Sequence, residues 1–465
     1  MKHFINNLIS LGIIGILIII PLSADSAKNR NVKKPNILII MADDLGYGDL
    51  SVMGGTDIQT PNIDQLFQDG LIFTEFYANS TVGSPTQASL LTGRYPGFVG
   101  VPGAIRSDET NSWGYFNCDS TLSTHFQNSG YTTAIIGKWD LGLKSPNLPN
   151  EKGFDLFMGF FENKMEKHNT QNENEINDMR FNEKGVDPPG HTTDLLSDWS
   201  ADFIRRESEV EKPFFLYVSY NTSFPVEPPA DWVEKINKRQ PNLDLNRTKN
   251  IASIEHMDAG VGRIIDALNE TNQLKNTIII FSSDNGGYLP GGASNSILRG
   301  GKQDLYEGGI RVPTCLFWKE KVRKGSLCHQ IAMTMDIYPT LCNLTETPNT
   351  LMMDGKDLSN CIYKGEPLPE ERTLFWICRE GGKYKGQAFY AVRQGAYKLM
   401  QNSPFEDFQL YNLTTDPHEQ IPLSKNSVHY VRLQRILDQH IQENEKISWK
   451  EKSIGNDIIQ SLHTN

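Results

Sequence analysis

The sequence has no excess of basic residues, and this limits the partners it can bind. Lysine and arginine number 45 against 56 aspartates and glutamates, so the formal net charge is −11 over 465 residues. A protein that binds nucleic acid through its general surface needs positive charge to neutralise phosphates. We therefore expect no nucleic-acid partner, although a local basic pocket for a small anion is compatible with this charge.

Internal repeats and extremes of composition are also absent. Hydrophobic residues make up 38% of the chain, charged residues 22% and aromatic residues 10%, with 38 glycines and 24 prolines. This is the composition of a globular protein, and it excludes the fibrous and intrinsically disordered classes. The length favours two or three domains, or one large α/β domain with an appendage.

Cysteine is scarce and no CxxC pair occurs, which gives little support to a zinc-knuckle or thioredoxin-like site. The six cysteines are Cys118, Cys315, Cys328, Cys342, Cys361 and Cys378. An even number is compatible with up to three disulfides in an oxidising compartment. Buried free thiols are an equally good interpretation.

No apolar run is long enough to predict a membrane-spanning helix. The run at residues 8–20 follows Lys2 and precedes small residues between positions 23 and 27, which is the order of a secretory signal peptide. Its length of about 13 residues falls short of the roughly 20 that a bilayer requires, so an uncleaved anchor is the less favoured alternative. We expect residues 1–27 to be a signal peptide and the mature chain to be periplasmic or secreted, without membrane contact.

Four short, continuous apolar runs bounded by turn-forming residues predict fully buried strands. They occupy residues 35–41, 131–136, 214–218 and 277–281. Between them lie stretches with helical spacing, at residues 62–67, 123–127, 193–206 and 256–269. This alternation predicts an α/β fold with a large, mostly parallel central sheet flanked by helices.

The C-terminal region has a different pattern. Composition changes near residues 354–371, and two short β-type runs at 389–393 and 397–399 then flank Gly395. These runs predict a smaller antiparallel sheet, and the spacing over residues 428–443 predicts a helix that accompanies it.

The composition also suggests how the chain is divided. A polar stretch at residues 162–190 predicts an excursion on the surface of the larger domain. We assign residues 1–27 to the signal peptide, 28–360 to the α/β domain and 361–465 to a C-terminal subdomain.

Acidic and amide side chains follow two of the predicted strands. Asp43 and Asp44 come directly after the first strand, and Asp284 and Asn285 follow the fourth. Ligand sites of open α/β sheets gather outside the carboxyl ends of the strands, so both pairs are expected to face one crevice. Their oxygens are the ligands that Ca²⁺ prefers. On these residues alone, a Ca²⁺ site and a set of turn and helix-cap residues are equally good interpretations.

The order of motifs along nearly the whole mature chain resembles the sulfatases of the alkaline-phosphatase superfamily. The motifs that carry this resemblance lie at residues 34–49 (KPNILIIMADDLGYGD), 60–64 (TPNID), 89–96 (SLLTGRYP), 137–139 (GKW), 283–287 (SDNGG), 298–302 (LRGGK) and 410–417 (LYNLTTDP). The resemblance implies the fold predicted above. It also implies that the two acidic pairs hold a calcium ion.

The chain departs from this family at the catalytic motif. In the family a Cys or Ser, followed by any residue, Pro, any residue and Arg, is oxidised to formylglycine, whose hydrate attacks sulfur. The matching stretch here is GSPTQ, with Gly83 at the nucleophile position and Gln87 at the arginine position. Glycine has no Cβ to carry an aldehyde, and the glutamine removes a fixed positive charge.

Two histidines of the family are also replaced. Asp140 follows Lys-Trp where a histidine is expected, and its carboxylate would repel a sulfate. A second family histidine aligns with Ser223, so a proton donor for the leaving alcohol is missing. Loss of the formylglycine ligand is expected to weaken the calcium site.

Part of the anion site is retained. Lys138 and Lys302 match family lysines that contact the sulfate, and the alternative is that they are ordinary surface lysines.

These residues predict a sulfatase-like protein that lacks formylglycine-dependent hydrolysis and binds a sulfated polysaccharide or another small anion. The alternative is an active sulfuric- or phosphoric-ester hydrolase in which Ser84, Thr81 or a metal-bound water attacks. Ser84 is one residue out of phase with the nucleophile position, and Pro85 restricts its backbone. A partner subunit of an active sulfatase is a third interpretation that no residue specifically favours.

Overall fold

A mixed sheet of ten strands forms the centre of the computed structural model, which describes residues 33–105, 116, 118–161, 179–222, 227–368, 371–379, 384 and 386–446. The strands are β1 (Asn36–Ala42), β2 (Leu71–Phe73), β3 (Phe76–Tyr77), β4 (Thr132–Lys138), β5 (Leu156–Phe160), β6 (Arg180–Phe181), β7 (Lys184–Gly185), β8 (Phe214–Ser219), β9 (Thr277–Ser283), β10 (Thr314–Phe317), β11 (Ser326–Cys328), β12 (Ala332–Met333), β13 (Thr373–Arg379), β14 (Ala388–Gln394), β15 (Tyr397–Met400) and β16 (Gln409–Asn412).

Helices cover both faces of this sheet and one face of a smaller one. They are α1 (Pro61–Asp69), α2 (Gly83–Thr92), α3 (Leu122–Asn128), α4 (Thr192–Ser208), α5 (Ala230–Arg239), α6 (Leu245–Glu270), α7 (Glu307–Ile310), α8 (Ile337–Leu344), α9 (Ser359–Lys364) and α10 (Val428–Glu445). Within the described ranges, none of them combines the length and the apolar character that crossing a bilayer demands.

The central strands of the large sheet are parallel. In spatial order the sheet runs β11-β2-β10-β9-β1-β8-β4-β5-β6-β7. The five strands from β9 to β5 are parallel to one another, whereas β10 and the β6–β7 hairpin join them antiparallel. The predicted α/β fold is confirmed, and short antiparallel strands extend its parallel centre on both sides.

The central strands are apolar throughout because helices bury both faces of the sheet. In β1, Ile37 and Ile39 pack on the side that carries α2, α3 and α8, while Leu38 and Ile40 pack on the side that carries α4 and α6. Successive residues of a strand point to opposite faces, so every residue of this run has a layer to pack against. The run therefore shows no alternation of polar and apolar residues.

The four predicted strands correspond to β1, β4, β8 and β9, and the four predicted helices lie within α1, α3, α4 and α6. Helix α6 begins at Leu245, well before the predicted start at residue 256, because Asp244 caps it by accepting the amide N–H of Arg247 at 3.0 Å. The part of the predicted polar excursion that is described forms the exposed β6–β7 hairpin. Residues 162–178 and the predicted signal peptide lie outside the described residues.

The predicted C-terminal antiparallel sheet is confirmed, and it has four strands in the order β13-β14-β15-β16. Gly395, with φ 55°, turns β14 into β15. Leu433 and Leu437 of α10 pack on one face of this sheet. On the other face, the indole N–H of Trp376 donates to the carbonyl oxygen of Ala78 at 2.9 Å. The boundary at residue 360 stays a prediction.

Two of the six cysteines form a disulfide. Cys328 at the end of β11 is bonded to Cys361 of α9. The other four, Cys118, Cys315, Cys342 and Cys378, are not disulfide-bonded. The structure therefore combines the two interpretations left open by the sequence.

His440 in α10 leads to a prediction about pH. Its ring stacks on Phe375 with the centroids 4.0 Å apart, and burial lowers its pKa to about 4. The same side chain in the unfolded chain has a pKa near 6.5, so the unfolded state binds more protons between these values and stability falls as the pH drops through this window. Urea denaturation at pH 7 and at pH 5 measures how much unfolding free energy is lost on acidification. We expect this loss to be about 2 kcal/mol smaller in His440→Phe than in the wild type. The exposed His329→Gln should lose as much as the wild type, and an equal acid loss in His440→Phe would contradict the prediction.

Candidate active site

The candidate site lies where neighbouring parallel strands end. The register pairs Ala42 of β1 with Ser283 of β9, and it pairs Gly137 of β4 with Ser219 of β8. Strand β8 lies between β1 and β4 in the sheet. Because the four strands run in the same direction, the residues that follow them emerge at one edge. Residues far apart in the sequence are thus brought together.

The four predicted metal ligands meet at this edge. Asp43, Asp44 and Asp284 are buried, and one oxygen from each lies within 4.8 Å of the others. The amide N–H of Asp44 donates to Asp284 Oδ1 at 3.2 Å, and Asn285 Nδ2 donates to Asp44 Oδ1 at 2.8 Å. We refer to these four residues as the acidic cluster.

Both predicted anion-contacting lysines face the acidic cluster. Lys138 Nζ lies 2.9 Å from Asp43 Oδ1 and 3.1 Å from Asp284 Oδ2. Lys302 Nζ lies 2.6 Å from Asp44 Oδ2. The side chain of Lys138 is 3% exposed and that of Lys302 is 26% exposed. Lys138 is therefore embedded among carboxylates, and Lys302 is the lysine that reaches solvent.

Burial and mutual repulsion govern the charges of this cluster. Burial raises the pKa of Asp43 well above its usual value; Lys138 opposes this shift, while Asp284 and Asp44 add to it. Burial alone would lower the pKa of Lys138, but Asp284, Asp43 and Asp140 raise it well above its ordinary value. A positive charge among these carboxylates is thus strongly favoured.

Gly83 faces the centre of this arrangement. It is the first residue of α2, and a Cβ added to it would lie 2.6 Å from Asp284 Oδ2, 3.0 Å from Lys138 Nζ and 3.2 Å from Asp140 Oδ2. A side chain at this position would therefore reach the acidic cluster and Lys138. Gly83, which matches the nucleophile position of the family motif, has no side-chain atom that could take part in a reaction.

The other replaced positions surround Gly83. Asp140 adopts φ 59° directly after β4, and its Oδ2 accepts a hydrogen bond from Ser84 Oγ at 3.2 Å. Gln87 lies one turn after Gly83 in α2, and both of its buried amide atoms lack a hydrogen-bond partner among the described residues. Ser223 lies outside the described residues. Asn221, two positions earlier, is buried with both side-chain polar atoms unpartnered in the described part of the chain.

The acidic cluster fits a hard divalent cation. Asn285 is fully buried, and no donor in the described ranges reaches its Oδ1. A buried amide oxygen without a partner is unfavourable, and oxygen-binding cations such as Ca²⁺ take carboxylate and amide oxygens together. The residues that would hold such an ion are Asp43, Asp44, Asp284 and Asn285.

The two hydroxyls considered as substitute nucleophiles, those of Ser84 and Thr81, both contact other residues of the protein. Ser84 is 1% exposed, and its Oγ accepts the amide N–H of Ile105 at 3.1 Å while donating to Asp140. Thr81 Oγ1 lies 3.6 Å from Cys378 Sγ, which belongs to β13 of the C-terminal sheet. Sequence reasoning did not predict either contact, because no local pattern links these distant residues.

Two further residues, Asp49 and Arg247, stabilise the loops that carry the acidic cluster. Asp49, within the motif at residues 34–49, accepts the amide N–H of Ser294 at 3.0 Å and forms an ion pair with Arg247 of α6. This carboxylate thereby holds the loop after β1 against the loop after β9. The motif at residues 34–49 indicated Asp49, whereas Arg247 had no sequence signal.

Comparison with known families and structures extends over most of the chain. The family model described as "Sulfatase" matches residues 35–347, and the model described as "N-sulphoglucosamine sulphohydrolase, C-terminal" matches residues 301–447.

Curated relatives and a solved structure agree with these matches. The chain is 28% identical to mouse (Mus musculus) N-acetylgalactosamine-6-sulfatase over 466 aligned residues, which cover 89% of this chain and 86% of the relative. It is 31% identical to human (Homo sapiens) arylsulfatase A over 393 residues, covering 79% and 74% of the two chains. The crystal structure of Ps i-CgsB in complex with k-i-k-neocarrahexaose is similar with a TM-score of 0.80 and 29% identity, over 90% of this chain and 94% of that one. The chain therefore belongs to the sulfatase family.

Proposed function

We propose that this protein binds a sulfated carbohydrate outside the cytoplasm, in the periplasm or after secretion, and does not hydrolyse it by formylglycine chemistry. The observation that carries the proposal is Gly83, which faces the acidic cluster without a side chain. The aldehyde of formylglycine is built on a Cβ, and no other atom of a glycine replaces it.

The replacements around Gly83 support the loss of hydrolysis. Gln87 is neutral where an arginine would carry a charge, and Asp140 places a carboxylate near the position of the reacting sulfate. Efficient sulfate-ester cleavage needs a positioned nucleophile and groups that stabilise negative charge in the transition state. This chain has lost the first and weakened the second.

The residues that remain are suited to binding. Lys302 is partly exposed at the acidic cluster, where its ammonium can contact a sulfate oxygen. When bound, a divalent cation such as Ca²⁺ would add positive charge that attracts and polarises the oxygens of the ester. The structure of Ps i-CgsB with neocarrahexaose shows that a related chain of the same fold holds a carbohydrate, and this favours the same ligand class here.

Export is supported by two features. The apolar run at residues 8–20 has the order of a signal peptide. The disulfide between Cys328 and Cys361 is of a kind that persists in oxidising compartments.

Binding without turnover is the first expected outcome. Titration calorimetry with neocarrahexaose and with N-acetylgalactosamine 6-sulfate should detect binding of at least one of them, while ion chromatography detects no sulfate release. Lys302→Ala should weaken the binding by about tenfold to a hundredfold, because it removes a charge-assisted hydrogen bond worth roughly 1.5–3 kcal/mol. Lys425→Ala is the control, since this exposed lysine pairs only with Asp407 among the described residues. Sulfate release by the wild type, lost in Lys302→Ala, would refute the proposal.

Removal of metal gives a second expected outcome. Chelation with EDTA should lower the thermal midpoint of the wild type, and added Ca²⁺ should restore it, because an ion bound only to the folded state stabilises it by about 2.7 kcal/mol at a hundredfold excess over Kd. Asp43→Asn should show the same midpoint in both conditions, whereas Asp407→Asn, at an exposed carboxylate, should respond like the wild type. A wild-type midpoint that does not respond to EDTA argues against the cation site.

A second candidate function is an ester hydrolase that uses Ser84. The observation in its favour is the hydrogen bond from Ser84 Oγ to Asp140 Oδ2, which gives the hydroxyl a carboxylate to accept its proton. The burial of Ser84 and the hydrogen bond it accepts from Ile105 weigh against it.

Ser84→Ala distinguishes the two functions. Under the binding proposal, neither the wild type nor this variant turns over aryl sulfates or phosphodiesters. The control is Ser89→Ala, a buried serine of the same helix that is unpartnered within the described residues. Turnover by the wild type and by Ser89→Ala, but not by Ser84→Ala, would establish the hydrolase instead.

A further inference from the structure

We infer that Asp140 is the fourth carboxylate of the cation site and compensates for the side chain that position 83 lacks. This inference rests on the cation binding contained in the proposed function. It assigns a gain of function to a replacement that the sequence presents only as a loss.

The backbone places Asp140 beside the acidic cluster. Strand β4 ends at Lys138, and Asp140 follows in the left-handed region with φ 59°, where aspartate is better tolerated than most residues. Its amide N–H donates to the carbonyl oxygen of Phe161 at 3.0 Å. This fixed turn directs the carboxylate inward, and the side chain is 14% exposed.

The carboxylate lies where a side chain from position 83 would end. The added Cβ of Gly83 lies 2.6 Å from Asp284 Oδ2 and 3.2 Å from Asp140 Oδ2, so these two oxygens flank the same point. Asp140 approaches the cluster from the side of α2. The other three carboxylates have oxygens within 4.8 Å of one another, and Asp140 is not part of that group. It therefore reaches the ion from the Gly83 side, directly or through one water, as Ca²⁺ with its 6–8 oxygen ligands commonly allows.

Neighbouring groups orient this carboxylate without neutralising it fully. Ser84 Oγ donates to Oδ2, and Lys138 Nζ lies 3.7 Å from the same oxygen. Lys138 is closer to both Asp43 and Asp284. Lys138 thus shares one positive charge among three carboxylates, and a divalent ion would supply the further positive charge that this group lacks.

If Asp140 faced only an anionic ligand, its negative charge would not stabilise the complex. A carboxylate repels sulfate, but it attracts the cation that in turn attracts sulfate. The exchange of a ligand at position 83 for a carboxylate at position 140 keeps the number of hard oxygen donors around the ion constant. It explains in one step why Gly83 and Asp140 occur in the same site.

Calorimetric titration of Ca²⁺ tests this assignment, together with thermal midpoints in EDTA and in Ca²⁺. We expect Asp140→Asn to weaken Ca²⁺ binding by about tenfold or more, in the range found when supporting groups of metal sites are removed. Its midpoint in EDTA should be no lower than that of the wild type, because one of the carboxylates that share Lys138 is neutralised, while its gain on addition of Ca²⁺ should be smaller. Asp407→Asn, at a carboxylate with 86% of its side chain exposed, should bind Ca²⁺ like the wild type.

The double variant Gly83→Ser/Asp140→Asn examines the exchange itself. A Cβ at position 83 presses on Asp284 Oδ2 whether or not Asp140 is present, and its hydroxyl returns an oxygen donor. Asp140→Asn should therefore weaken Ca²⁺ binding less in the Gly83→Ser background than in the wild type. Equal losses of affinity in the two backgrounds would overturn the claim that Asp140 replaces position 83.

Two other results would overturn the inference and are distinguishable. If the wild type binds Ca²⁺ and Asp140→Asn binds it equally well, the cation site stands and Asp140 has no part in it. An Asp140→Asn midpoint lowered equally in EDTA and in Ca²⁺ would assign this residue a structural role only. If the wild type binds no Ca²⁺, the cation site of the proposed function fails as well.

Discussion

Carboxylate burial at one end of the sheet is the constraint on which the rest of the site depends. Asp43, Asp44 and Asp284 emerge together because β1 and β9 are parallel and in register. Removing a charged group from water costs several kcal/mol unless it is paired and hydrogen-bonded. Lys138 and Lys302 provide that pairing from β4 and from the loop after β9, so the strand order and the two lysines depend on each other.

Local sequence patterns were sufficient for the parallel centre of the fold and for the placement of Asp43, Asp44, Asp284 and Asn285 at one edge of the sheet. The run at residues 35–41 predicts β1 because its continuous apolar character reflects burial on both faces, and Asp43 follows it directly. Short outer strands such as β2 and β11 were not predictable, since their three residues depend on pairing partners far along the chain. For the same reason the sequence predicted that Lys138 contacts the anion but not that Asp43 and Asp284 surround it. The hydrogen bond between Ser84 and Asp140 joins residues 56 positions apart and has no local signature.

A second buried network holds the C-terminal sheet against the larger one. Lys398 Nζ of β15 lies 3.0 Å from Glu307 Oε1 and 2.8 Å from Glu419 Oε1, and all three side chains are buried. Burial alone would raise the pKa of Glu307, but Lys398, Arg393 and Arg311 lower it to about 2. Because Trp376 of the same sheet also donates to Ala78, this sheet fixes the segment that leads into α2. The smaller sheet thus contributes to the position of Gly83 without supplying a side chain to the acidic cluster.

The missing Cβ at position 83 also limits which substitutions this site can accept. An added Cβ would lie 2.6 Å from Asp284 Oδ2, so a cysteine introduced there would require this carboxylate to shift. The new thiol would then stand next to Asp140 and above a neutral Gln87, neither of which suits a sulfate-cleaving centre. A return to the family motif would therefore need exchanges at positions 83, 87 and 140 together. The residue at position 83 and the position of the Asp284 carboxylate are therefore coupled, and one cannot be changed without regard to the other.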